Sequence, residues 1–167
     1  MTRLVLVLAT LVCGAALGAS VAPAASPQGN NDIVGQLGTP TFVFPPTQCG
    51  QGTIFEVDFP IFSVTGDTLG TGRSCVYGWA GDPCPDFAPV GCQQETLSIF
   101  TFTFGTGSIT ASMTLHETFI AGGIVENAKG QITGGTGAYA GASGTVQYNG
   151  TFKFAGGVRF TLVVRLD

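Results

Sequence analysis

Residues Gly130 to Phe152 read GQITGGTGAYAGASGTVQYNGTF, and this stretch decides the fold. Its glycines, Gly134, Gly135, Gly137, Gly141 and Gly144, lie between short β-forming runs at Gln131 to Thr133 and Val146 to Tyr148. Backbone amides of a glycine-rich loop can cradle an anion, but a phosphate loop needs a following helix and a Lys at a fixed place. Strands flank the glycines on both sides here, so they are expected to supply positive φ and the tight corners of a barrel. Asn149-Gly150 is expected as a type I′ hairpin turn before a strand at Thr151 to Phe154. With Thr151 it also matches the N-glycosylation acceptor pattern, and the turn is preferred.

Outward from this stretch, no segment keeps a 3.6-residue apolar period, whereas several alternate with period two between Gly, Pro, Asn or Asp. Thr41 to Phe44 is a short strand bracketed by Pro40 and Pro45-Pro46. Gly52 to Val64 sets Phe55, Val57, Phe59 and Ile61 on one face and Ile54, Glu56, Asp58 and Phe62 on the other, with a bulge or edge at Pro60. A turn at Thr65-Gly66-Asp67, a strand at Leu69 to Tyr77 and a Pro- and Cys-rich loop from Gly78 to Gln93 follow. Leu97 to Phe104 and Ile109 to Thr118 form a hairpin around Gly105-Thr106-Gly107, with Phe100, Phe102 and Phe104 on one face. AGGIVENAKG, residues 121–130, reads as irregular, and Val158 to Leu166 is the last strand. About eight short antiparallel strands result, and closing them into a barrel would hide their edges.

At the start of the chain, Arg3, the apolar run Leu4 to Leu17 and Ala22-Pro23-Ala24 form the pattern of a cleaved secretory signal peptide, residues 1–24. The run is shorter than the roughly 20 apolar residues of a membrane span, so no membrane partner is expected. Residues 25–38 are expected as a flexible leading segment and 39–167 as one barrel domain, a size that suits a single core. After the signal peptide the basic residues are Arg73, Lys129, Lys153, Arg159 and Arg165, scattered through a chain of net charge −4, which excludes nucleic acid as a partner. Cys49, Cys75, Cys84 and Cys92 are an even set in a secreted chain and read as two disulfides. The spacing of Cys84 and Cys92 favours a local staple, leaving Cys49 to reach Cys75, although three connectivities stay open. His116 is the sole histidine and no C-x-x-C pair occurs, so no metal is expected.

ITGGTGAYAGASGTV at residues 132–146, FTFGTGSITASMTL at 102–115 and FTLVVRL at 160–166 together resemble the allene oxide cyclase barrel family and its dirigent relatives. The similarity runs from about Gly52 to Leu166. It implies an all-β, eight-stranded antiparallel barrel around an apolar cavity, assembled as a homotrimer. Members of that family cyclise unsaturated epoxides, steer radical coupling of phenols or act as cyclases in polyketide pathways. Phe55-Glu56-Val57-Asp58 resembles the strand start Tyr-Glu-x-Asn of the plant cyclases, whose glutamate lies in the cavity, with Asp58 replacing the asparagine. Cys75 matches a cavity cysteine by position.

Glu56 and Asp58 are therefore the candidate catalytic pair. They project from the same face of one strand about 7 Å apart, and inside an apolar barrel at least one would hold its proton near neutrality. Simple alternation places them opposite Phe55, Val57 and Phe59, while the resemblance places the glutamate inside. Phe100, Phe102, Phe104, Tyr77 and Arg73 are the candidate ligand contacts. His116 shares a polar face with Ser112, Thr114 and Thr118 and reads as a surface residue. Three functions compete: a secreted dirigent-like barrel that binds a small apolar or phenolic molecule and steers its cyclisation or coupling, a cofactor-free isomerase or cyclase, and a structural barrel filled by its own side chains. None of them calls for a cofactor.

Overall fold

The computed structural model describes residues 32–85 and 88–167, all of them strand, turn or irregular, so the signal peptide expected at residues 1–24 lies outside the described residues. Nine strands follow in chain order: β1 Ile33–Leu37, β2 Thr41–Val43, β3 Phe55–Phe62, β4 Thr68–Trp79, β5 Gln93–Phe104, β6 Gly107–Ile120, β7 Gly123–Gly137, β8 Gly144–Lys153 and β9 Val158–Leu166. Each from β3 to β9 pairs antiparallel with the next, and β1 pairs with both β9 and β3, closing an eight-stranded barrel; β2 pairs with β3 alone. Among the described residues no helix is long and apolar enough to cross a membrane.

Three expectations are corrected. Residues 33–37, expected in the flexible segment, form the closing strand: Val34 and Gln36 are exposed, while Gly35 and Leu37 are buried against the core. The supposedly irregular residues 121–130 belong to β7 beyond a two-residue turn at Ala121 and Gly122, because Ala128 and Ile132 turn inward and residues 123–132 pair with β6 in unbroken register. Asn149-Gly150 is no turn. Strand β8 runs straight through it, pairing Asn149 with Asn127 on one side and Thr161 on the other. Of the five glycines of the central stretch, Gly137, Gly141 and Gly144 take positive φ at 60°, 77° and 129°, at the β7–β8 connection.

The inward faces of β5, β6, β8 and β9 alternate strictly with their outward faces. At one end of the barrel, Ile61, Phe102, Phe104, Ile109, Ile132 and Val164 are buried and fill the lumen, with Tyr139 packed on Phe104 at 5.6 Å between ring centroids. An eight-stranded barrel is just wide enough to be filled this way. At the other end lie the β6–β7 and β8–β9 turns and the Pro- and Cys-rich loop. There the chain between β1 and β2 breaks at Gly38 to Pro40, and Gly38 N–H donates to the Pro60 carbonyl at 2.8 Å. The edge of β3 carrying Pro60, which has no N–H to offer a partner, meets this break.

Gly150 faces inward with no room for a side chain: a Cβ there would lie 1.9 Å from the Arg159 carbonyl oxygen and 2.6 Å from the Phe160 ring. Gly150→Ala is therefore expected to lower stability by about 2 kcal/mol or more, whereas exposed Asn149→Ala stays within about 0.5 kcal/mol. Urea denaturation midpoints check both; a large loss at Asn149 would restore the hairpin turn.

Candidate functional site

At the broken end the inward side chains leave a cavity of about 310 Å³. Its floor is Phe59 and Phe100, and its walls include Val57, Val76, Leu115 and Phe160, with Phe42, Phe152 and Phe154 at the mouth. Strand β9 pairs with β1 only over Phe160 to Val164 and β2 follows β3, so the wall parts between them. Phe42 and Phe152 meet edge to face across this gap at 6.0 Å. The volume lies at the lower end of the range for small-ligand pockets.

Two acids face into this space. Glu117 on β6 and Glu126 on β7 are direct cross-strand partners, a placement that brings their Cβ atoms to roughly 5 Å. Thr96 donates its hydroxyl to Glu117 Oε2 at 3.0 Å, and Gln94 donates its amide to the same oxygen. Gln94 Oε1 in turn accepts the Cys84 N–H at 2.9 Å, so the loop outside the barrel holds the network inside it. Tyr148 on β8 donates its hydroxyl to Glu126 Oε2 at 3.1 Å. Burial, reinforced by the neighbouring Glu117 charge, pushes Glu126 up to about 7 against the Tyr148 hydrogen bond. Burial also raises Glu117, against the hydrogen bonds from Gln94 and Thr96. Tyr148 is held well above its ordinary value, first by burial and then by the Glu126 charge, so it stays a donor. No Lys, Arg or His is among the residues that line the cavity. The pair thus retains a proton near neutral pH, as two carboxyls sharing an apolar site must.

Ser74 on β4 lines the same cavity, is 3% exposed, and its hydroxyl has no hydrogen-bond partner. Ser98, equally buried, is likewise unpartnered. Hydroxyls shut away from water in this fashion carry a cost that a bound polar atom would relieve.

The acids anticipated from sequence lie elsewhere. Phe55, Val57 and Phe59 face the cavity, so the alternation of β3 turns Glu56 and Asp58 to the outer side of the wall. Glu56 is nevertheless fully buried, because residues 47–49 lie over it: Oε2 accepts the Thr47 and Gln48 amides at 3.0 and 2.9 Å, and Oε1 stands 3.1 Å from Arg73 Nε. The Gln48 amide above all, helped by the Thr47 amide and Arg73, holds its carboxyl below the usual range despite desolvation. Arg73 Nε also donates to Asp58 at 2.8 Å. Cys49 is joined to Cys75 beside this cluster, and Cys84 to Cys92, the pairing favoured by the spacing. Of the expected ligand contacts, Phe100 borders the cavity; Phe102 and Phe104 lie in the filled end, and Arg73 and Tyr77 are not among the lining residues. His116 bonds Glu95 at 3.0 Å on the exposed outer face. Among the described residues no three His, Cys, Asp or Glu side chains gather as a metal-ligand set.

Glu117 and Glu126 escaped the sequence reading, although a signal for each exists. Glu117 continues the apolar alternation Ile109, Ala111, Met113, Leu115, and Glu126 sits between Ile124 and Ala128. A carboxylate on the apolar face of a strand marks an acid turned toward the lumen.

No family model and no curated protein matches the chain. A solved structure described as a pyocyanin demethylase is similar to it, with a TM-score of 0.49 and 17% identity over 81% of this chain and 99% of that one. At that level the likeness concerns the course of the backbone and transfers no activity.

Two consequences can be measured. Because Glu126 titrates near 7 in the folded chain against 4.5 unfolded, the folded state holds the extra proton between those values, and stability falls as pH rises across that window. Glu126→Gln, a permanent mimic of the neutral acid, should flatten this slope and raise stability above pH 7 by on the order of 1–3 kcal/mol, with little effect near pH 4.5. Urea midpoints at pH 5 and pH 8 decide it, and parallel slopes in the two proteins would refute it. Glu56 has the opposite sign: its contribution is present above pH 4.5 and is lost as pH falls through its lowered folded value. Glu56→Gln should therefore free the Thr47 and Gln48 amides, raising their hydrogen exchange about tenfold; unchanged protection would show that the disulfide alone holds the segment.

Proposed function

We propose that this chain is a secreted barrel of the allene oxide cyclase and dirigent type that binds one small, largely apolar or phenolic molecule in the hollow end and steers its cyclisation without a cofactor. The observation that carries this reading is the apolar cavity of about 310 Å³ with Glu117, Glu126 and Tyr148 grouped on one part of its wall. Rigid apolar walls favour folded conformers of a flexible substrate, converting search entropy into proximity. A carboxylic acid still protonated near pH 7 is suited to donate to an oxygen that gains charge during ring closure. Tyr148 and Gln94 orient the two carboxyls, and the proton returns to the pair once the product leaves. Two disulfides fit an oxidising, extracellular setting. The acid pair favours the isomerase or cyclase reading over passive guidance, because guidance by shape needs no half-buried acids in the cavity wall.

The test is native mass spectrometry of the protein with a library of phenols and unsaturated lipids, repeated on Val57→Phe, which extends a ring into the cavity. The wild type should retain a library member at one per chain, and Val57→Phe should bind it at least about tenfold more weakly while melting cooperatively. A wild type that retains nothing would return the barrel to a structural role.

A further inference from the structure

The cavity combines two features that a neutral ligand leaves unresolved. Nine of its twenty lining residues are aromatic, yet two carboxyls share that apolar space without a Lys, Arg or His among the lining residues. Removing one proton from the pair leaves a negative charge among rings, where desolvation makes an uncompensated carboxylate costly. Removing the second places like charges directly opposite each other on neighbouring strands, an arrangement that destabilises a sheet. Glu56, on the outer side of the wall, is neutralised by Arg73 and two backbone amides; Glu117 and Glu126 have neutral donors alone.

We infer that the ligand is a cation on an apolar body, a protonated or quaternary nitrogen attached to an aromatic or alicyclic frame, with its charge set against the Glu117–Glu126 pair. This rests on the cavity of the proposed function and, for such a ligand, puts charge pairing in place of proton donation by the acids. Aromatic residues that line the same cavity, Tyr148, Phe119 and Phe152 among them, are side chains of the kind that attract such a charge. Ser74, 3% exposed and unpartnered, lines the same cavity and supplies a separate contact for a hydroxyl, carbonyl or N–H on the ligand. The chain's net charge of −4 favours the approach of a cation.

Binding exchanges a proton for the cation: the pair releases its shared proton to solvent as the positive nitrogen arrives, and the charge of the site is conserved. The groups that face the pair from neighbouring strands are Gln94 and Thr96 on β5 and Tyr148 on β8, and of these only Tyr148 is titratable, far above neutrality. Affinity for a permanent cation therefore rises with pH through the titration of the pair, while affinity for a neutral molecule of the same shape does not.

Benzyltrimethylammonium and neopentylbenzene, which differ in shape only by nitrogen for carbon, are the probes. Calorimetric and NMR titrations at pH 5 and pH 8 compare the wild type, Glu117→Gln/Glu126→Gln and the outer-face control Glu95→Gln. The cation should bind the wild type at least about tenfold more tightly than its neutral counterpart at pH 8. That margin should collapse at pH 5 and in the double variant and persist in Glu95→Gln. Equal or tighter binding of neopentylbenzene would overturn the cation assignment and leave the apolar binding site standing; exclusion of both probes would sink the two together. A preference for the cation that survives in a cooperatively folded double variant would also overturn it. If the double variant does not fold, the pH dependence in the wild type decides.

Discussion

The pairing of Ile33–Leu37 with both β9 and β3 is the constraint on which the rest of the molecule depends. Without it, β9 and the part of β3 beyond β2 would be the edges of an open sheet, with unpaired backbone groups and two faces to cover. With it, every strand acquires a defined inside and outside, and a residue's parity along its strand decides whether it meets the lumen or the surroundings. A single turn of parity therefore separates the buried Phe100, Phe102 and Phe104 from the exposed Leu97 and Ile99 of the same strand. The same rule assigns Glu117 to the cavity and His116 to the outer face.

Closure is complete at one end and interrupted at the other, and the contrast makes the site. Where β1 bridges β9 and β3, six large apolar side chains fill the lumen. Past Gly38 the chain leaves β9 and follows β3 as β2, so the wall parts at the end where the cavity and its two acids lie. The Cys84–Cys92 staple matters here for a physical reason. None of its loop's described residues lies in a strand or helix, yet the Cys84 amide fixes Gln94 and through it Glu117. Closing that loop covalently limits the freedom of the segment whose amide the network uses.

Much of the fold was legible in the chain, and the losses have identifiable causes. Period-two alternation marked β3, β5, β6 and β9, and the cysteine spacing favoured the disulfides found. Strand β1 was missed because its short alternation, Ile33 to Leu37, contains two polar or small residues and follows a Gly- and Asn-rich run. Asn149-Gly150 has the chemistry of a tight turn, but Gly150 is required there by the approach of Arg159 and Phe160 from β9, a tertiary demand that local chemistry does not display. Missing the continuity of β7 had the largest consequence, because AGGIVENAKG read as irregular removed Glu126 from any strand face. The candidate site then settled on Glu56, through a resemblance that placed it inward against the alternation of its own strand.

Glu56 and the Glu117–Glu126 pair show how one side-chain type is driven to opposite states by the wall between them. Outside, buried as it is, Glu56 faces two amide donors and a guanidinium, all of which favour the charged form, and it stays ionised as a clasp for residues 47–49. Inside, Glu126 has one hydroxyl donor, a like charge opposite and rings around it, so the neutral form gains. The first arrangement fastens a loop to the wall. The second weakens the folded state at neutral pH by opposing two acids where any pair of apolar side chains would pack without penalty. An arrangement that costs stability in the empty barrel is understandable if the occupied barrel recovers it, either by taking the proton into a reaction or by replacing it with a positive charge.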